Sequence, residues 1–125
     1  MDDTPRISIV DDDPLVRGAL CRLCKSVGYE VASYESAEAF LETESLPQSG
    51  CLVLDVHLPG RSGLELQTKL QAANNPLPIV FVTAYEDEQA KTQALDRGAV
   101  EFLHKPLDTE RLLMVIEQAL KAEEG

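Results

Sequence analysis

The chain predicts an α/β fold: one domain over residues 1–125, with a doubly wound parallel sheet of five strands and five helices. Three observations predict it. Short apolar runs alternate five times with helical patterns, an order that demands right-handed crossovers and a sheet covered on both faces. Runs such as CLVL and PIVFV are continuously apolar, as expected of strands buried on both sides. Polar residues stand where four runs stop: Asp11, Asp12 and Asp13 after ISIV, Asp55 after CLVL, Thr83 after PIVFV, and Lys105 after VEFLH. Ligands of such sheets bind outside the carboxyl ends of the strands, so these groups meet at one rim if the runs are parallel neighbours.

The elements follow in order. Strand β1 is expected over 6–10, where acids stop the apolar run. Pro14 can open helix α1 (14–27), with Val16, Leu20, Leu23, Cys24 and Val27 at helical spacing and Gly28 at the left-handed cap. EVASY is β2 (30–34), and Ser36 caps α2 (36–44), which carries Ala37, Phe40 and Leu41. Pro47 and Gly50 separate it from β3 (51–55). The turn-forming HLPGRSG leads into α3 (62–73), whose apolar face is Leu66, Leu70 and Ala73 and which NNPLP breaks. The stretch most inclined to strand is β4 (79–83). Helix α4 (86–97) then runs to Gly98 with a thin stripe of Ala90, Ala94 and Leu95, so its weak anchorage makes it a candidate switch element. The last pair is β5 (100–104) and α5 (108–122), capped by Asp108 and facing inward through Leu112, Val115, Ile116, Ala119 and Leu120.

A net charge of -11 argues against direct contact with nucleic acid or an anionic membrane, because phosphates are held by Lys and Arg clusters. No apolar run approaches the length that spans a bilayer, and MDDTPR lacks the pattern of a signal peptide, so the expected compartment is the cytoplasm. Three cysteines fit that compartment. Cys21 and Cys24 make a C-x-x-C, but within a helical pattern and without two further zinc ligands.

Two carboxylates about 5 Å apart repel by roughly 3 kcal/mol at an effective dielectric near 20, so clustered acids call for a cation. All-oxygen ligands select a hard ion, and Mg²⁺ suits a site with few carboxylates and a phosphoryl oxygen. Asp11 to Asp13 could alternatively do no more than cap the following helix. Asp55 has no helix start beside it to explain it, and aspartates serve as nucleophiles in phosphoryl transfer. Lys105 and Thr83 supply an ammonium and a hydroxyl for the equatorial oxygens of a transferring group.

The segments IVDDDP, LVLDVHLPGRSG, PIVFVTAY and EFLHKPL resemble the receiver domain of two-component response regulators, over nearly the whole chain. The resemblance implies a flavodoxin-like sheet of order 2-1-3-4-5. It implies that Asp55 is the phosphoacceptor, taking a phosphoryl group from a sensor histidine kinase. The metal would be Mg²⁺, with Mn²⁺ as a substitute. Asp12 would bind it directly, Asp11 largely through water, Asp55 by its carboxylate and His57 by its backbone carbonyl, with Asp13 at the family's variable third position. Thr83 matches the switch hydroxyl, Lys105 the phosphate-binding lysine in a cis Lys105–Pro106 bond, and Phe102 the aromatic whose rotation reports phosphorylation. His57 and Tyr85 occupy places that tune the lifetime of the acyl phosphate. The implied output surface is the α4-β5-α5 face, with a phosphorylation-dependent homodimer through α4 and β5.

SAEAFL, VTAYED and VEFLHKPLD are most similar to receivers joined to helix-turn-helix domains of the nitrogen-fixation and LuxR type, which implies a C-terminal DNA-binding output domain and control of transcription. Those proteins continue into a linker where KAEEG ends the chain, so an excised receiver is expected; a free-standing phosphorelay carrier would stop at the same place. The family implies no enzyme beyond promotion of its own phosphorylation and dephosphorylation. The rival class, a haloacid-dehalogenase-like phosphatase, needs an acid two residues after the nucleophile, where this chain has His57. P-loop and dinucleotide motifs are missing from the sequence.

Overall fold

The computed structural model describes residues 5–43 and 46–124. Five parallel strands lie in the order β2-β1-β3-β4-β5: Arg6–Val10, Glu30–Tyr34, Cys51–Asp55, Ile79–Thr83 and Glu101–His104. β1, β3 and β4 occupy the centre. All residues of β3 and β4 are buried, which their continuous apolar runs foretell.

Alternation along the strands divides the core into two layers. On one face Ile7, Ile9, Val53, Val80 and Val82 pack under Leu20 and Cys24 of α1 (Pro14–Ser26) and under Leu112, Val115, Ile116 and Ala119 of α5 (Thr109–Glu124). On the other, Val10, Leu52, Leu54, Phe81 and Phe102 pack under α2 (Ala37–Leu41), α3 (Gly63–Ala72) and α4 (Glu88–Asp96).

α1 begins at Pro14 as expected, but the other four helices begin later than their expected ranges, because the polar residue at each start is a cap outside the helix. Ser36 accepts from Ala39 N–H, Ser62 from Glu65 N–H, Asp87 from Ala90 N–H and Asp108 from Glu110 N–H. Glu86, read as the first residue of α4, therefore precedes its cap. α2 is the shortest: Glu42 caps its C-terminus and the Thr43 hydroxyl donates to Phe40 O, while Glu44 lies outside the described residues. α1 ends one residue early, at Ser26, in a Schellman turn: Gly28, at φ 94°, donates to Lys25 O and Tyr29 to Cys24 O. α3 ends at Ala72 in the same arrangement, with Asn74 at φ 56° in the left-handed place. α5 runs two residues beyond its expected end, and β5 starts at Glu101 instead of Val100.

Three apolar assignments change. Val27 and Ala73 are C-terminal caps and are exposed, and Leu95 is exposed because the stripe that holds α4 to the sheet consists of Ala90 and Ala94. Two alanines bury little area, so α4 is the most lightly anchored of the three helices on its face.

Candidate phosphoryl and metal site

The three adjacent acids after β1 do three different things. Asp11 is fully buried, and its Oδ1 accepts from Asp13 N–H. Asp13 is the cap of α1, accepting from Leu15 N–H. Asp12 is exposed between them. The Asp11 carbonyl is held by Arg17 Nη1 at 2.6 Å, one helical turn into α1, which fixes the loop that presents the acids.

Asp55 ends the neighbouring strand β3, almost fully buried. Its Oδ1 accepts from His57 N–H at 3.0 Å, and its Oδ2 from Lys105 Nζ at 3.0 Å. The same ammonium donates to Asp11 Oδ2 at 2.9 Å. Lys105 thus bridges two carboxylates from different strands, across a sequence separation that no local pattern could supply. The Lys105–Pro106 bond is cis, as the family resemblance implies.

Burial pushes the Asp55 carboxyl above its ordinary range, against the pull of the Lys105 hydrogen bond and charge, and the nearby Asp11 adds to the rise. Burial alone would pull the Lys105 ammonium down, but its bonds to Asp11 and Asp55 carry it above the usual lysine value. Both directions express one fact: two acids and one amine share a poorly hydrated pocket, where each charge relies on its partners.

Carboxylate oxygens of Asp11, Asp12 and Asp55 lie within 4.8 Å of one another. An all-oxygen set of this size, with two members buried and one open to solvent, fits a hard divalent cation that keeps part of its water shell.

Thr83 ends β4 and is fully buried, its Oγ1 accepting from Tyr85 N–H at 3.1 Å. Lys105 N–H donates to Thr83 O at 2.7 Å, so the two residues are joined through the backbone. Phe102 pairs in register with Phe81, is 4% exposed and has its ring centroid 6.2 Å from that of Phe81. Thr83 follows Phe81 by two residues, so Thr83 and Phe102 belong to the face that α4 covers. The His57 and Tyr85 rings meet edge to face at 4.8 Å, beside the site and exposed.

Some contributors escaped the sequence reading. A Cβ on Gly63 would lie 2.3 Å from Asp55 O, so only glycine lets α3 start against the end of β3, where Gly63 N–H donates to Val56 O at 2.9 Å. PGRSG signalled a turn but not this approach. Glu38 of α2 accepts from Arg61 N–H at 2.9 Å and steadies the same loop; that hydrogen bond lowers its carboxyl pKa. Asp87 places Oδ2 3.5 Å from His57 Nε2.

Residues 7–117 match the response regulator receiver domain family. The chain is 37% identical over 118 residues to the transcriptional regulatory protein FixJ of Bradyrhizobium diazoefficiens, covering 94% of this chain and 58% of that protein. It is 42% identical over 115 residues to the response regulator protein TmoT of Ectopseudomonas mendocina, covering 92% and 52%. The crystal structure of FixJ-N superposes with a TM-score of 0.85 at 33% identity, covering 97% of this chain and 96% of that one. The chain spans little more than half the length of the curated relatives it matches. With the acidic cluster, the bridging lysine and the strand order in agreement, this chain belongs to the response regulator receiver domain family, with FixJ-type regulators among its relatives.

Proposed function

We propose that Asp55 accepts a phosphoryl group from a sensor histidine kinase and that the acyl phosphate switches the α4-β5-α5 face. The observation that carries this reading is the Lys105 ammonium held at once by Asp11 and Asp55, with a third carboxylate alongside. Asp11, Asp12, Asp55 and the His57 carbonyl would hold Mg²⁺, or Mn²⁺ in its place. When bound, the ion neutralises charge on the transferring group. The chain's own part is positional. His57 N–H and Lys105 orient the Asp55 carboxylate; one of its oxygens bonds to phosphorus as the donor's N–P bond breaks, leaving the electron pair on the imidazole nitrogen. Lys105 then binds a phosphoryl oxygen.

Switching starts at Thr83, whose hydroxyl leaves Tyr85 N–H for a phosphoryl oxygen. Phe102 on the same face moves between an outward placement and the buried one described above, and lightly held α4 repacks. Two packings with different affinity for the phosphoryl group suffice. Leu95, Val100 and Met114 are exposed on that face, which suits a phosphorylation-dependent homodimer through α4 and β5. A groove of about 270 Å³ lined by Val16, Leu20, Leu23, Pro106 and Leu107 opens beside Lys105, where a helix of the kinase could bring its histidine to Asp55.

Residues 1–125 act in this reading as a single receiver that speeds only its own phosphorylation and dephosphorylation. A C-terminal helix-turn-helix domain would read the switch in the cytoplasm, and the receiver itself would touch neither DNA nor membrane; no helix among the described residues is long and apolar enough to cross a bilayer. His57 and Tyr85 set the lifetime of the phosphorylated form. The test is incubation with acetyl phosphate and Mg²⁺ followed by intact-mass measurement. The wild type should gain one phosphoryl group and Asp55→Asn none; equal gain in both would remove Asp55 as the acceptor.

A further inference from the structure

The Asp87 carboxylate faces two ways. Oδ1 accepts from Ala90 N–H at 3.0 Å and caps α4, while Oδ2 lies 3.5 Å from Nε2 of the His57 imidazole. The His57 backbone N–H is bonded to the carboxylate of Asp55, and its ring leans edge-on against Tyr85, whose own N–H is bonded to Thr83 Oγ1. The loop after Asp55 and the first turn of α4 are therefore brought together by side chains outside the core, through a direct His57–Asp87 approach that adds to the route through Thr83.

We propose that Asp87 is a positioning residue that, through the His57 ring, ties the phosphoacceptor loop to the start of α4. The physical case rests on what each group would do alone. An exposed imidazole on a loop samples several rotamers, and a helix whose apolar stripe is two alanines frays at its first turn. Joining them restricts both. The Asp87 contact holds the ring against Tyr85 at the rim of the site, and a shift of the loop on which Asp55 depends pulls directly on the cap of α4. The two side chains meet at a distance longer than an ordinary hydrogen bond, so the linkage is one of packing and orientation. Both side chains are partly exposed, so the linkage is worth a few-fold in an equilibrium and no more.

The functional consequence rests on Asp55 being the phosphoacceptor, whereas the linkage itself does not. Capping and tethering are separated by Asp87→Ser, because serine caps a helix as well as aspartate but is too short to reach His57. Amide hydrogen exchange at Ala90 is measured in the wild type, Asp87→Ser, His57→Ala and the double variant, with β1 amides as the check on folding. Each single substitution should speed exchange at Ala90 about threefold, and the double variant should be no faster than either. Unchanged exchange in His57→Ala, or effects that multiply in the double variant, would overturn the tether. Decay of the acyl phosphate in the same four proteins should likewise change by one shared factor, and independent factors would also count against it. If the wild type takes no phosphoryl group at all, the acceptor reading fails and exchange at Ala90 alone decides.

Discussion

Lys105 concentrates the electrostatics of the site in one side chain. Removing it leaves Asp11 and Asp55 facing each other with little water, and breaking a buried pair in this way costs about 3 kcal/mol. Lys105→Met should lower the urea midpoint accordingly, and saturating Mg²⁺ should restore part of the loss, since an ion bound only by the native state stabilises it. A midpoint insensitive to both changes would mean that the acids repel less than their spacing requires. Thr83 is the other residue with a sharp expectation. Thr83→Ala should abolish the conformational response to a phosphoryl mimic, read as amide shifts in α4, while Lys69→Ala on the exposed side of α3 leaves it intact. At this scale composition and spacing were informative about identities, and only the family resemblance assigned the acids different roles. By residue type and position alone, Asp11, Asp12 and Asp13 are indistinguishable as three adjacent acids. Which one is buried, which is exposed and which caps α1 is decided by how β1 hands over to the helix.

At the scale of elements, Gly63 sets how closely α3 may follow β3. Gly63→Ala must displace the Asp55 carbonyl or the start of the helix, so it should destabilise the protein by about 1–3 kcal/mol and slow labelling by acetyl phosphate at least tenfold. Urea unfolding and the initial rate of mass gain check the two effects, and normal values for both would mean that the loop yields freely. The helices were legible through their stripes and caps, but the expected ranges absorbed the capping residues: Ser36, Ser62, Asp87 and Asp108 all stand just outside. α4 gave the least warning. A nine-residue helix with two small buried residues leaves Leu95 outside, and no periodicity could say whether α4 or a partner covers it.

For the whole molecule, the parallel sheet and the meeting of the site came through because parallel strands are continuous apolar runs with polar ends, and right-handed crossovers leave few arrangements, while the strand order came from the family resemblance. Contacts between loops did not, since Glu38 with Arg61 and Asp87 with His57 depend on where turns point and not on any repeat. One global property follows from the layer under α1. Burial pushes the Cys24 thiol from 9.0 up to about 11, with Cys21 nearby adding to the rise. A thiol held neutral in the fold contributes its full share below about pH 9. Between there and about pH 11 the unfolded chain binds fewer protons than the native one, so stability falls as pH rises. The urea midpoint should therefore drop more steeply across that window in the wild type than in Cys24→Val; parallel slopes would show that the thiol is not so confined. For the same reason Cys24 should resist alkylation at neutral pH.

The backbone of Lys105 is fastened to β4 through Thr83 O, and its amine to the ends of β1 and β3. It works as a crossbar laid over four strands. Tension applied to the edge of the sheet, as when a bound protein tugs on β5, would drag the amine away from both acids and leave them bare. Mechanical load on that margin and chemistry at the centre are one coordinate, so a tightly gripping companion could retune the reaction without approaching the reacting atoms.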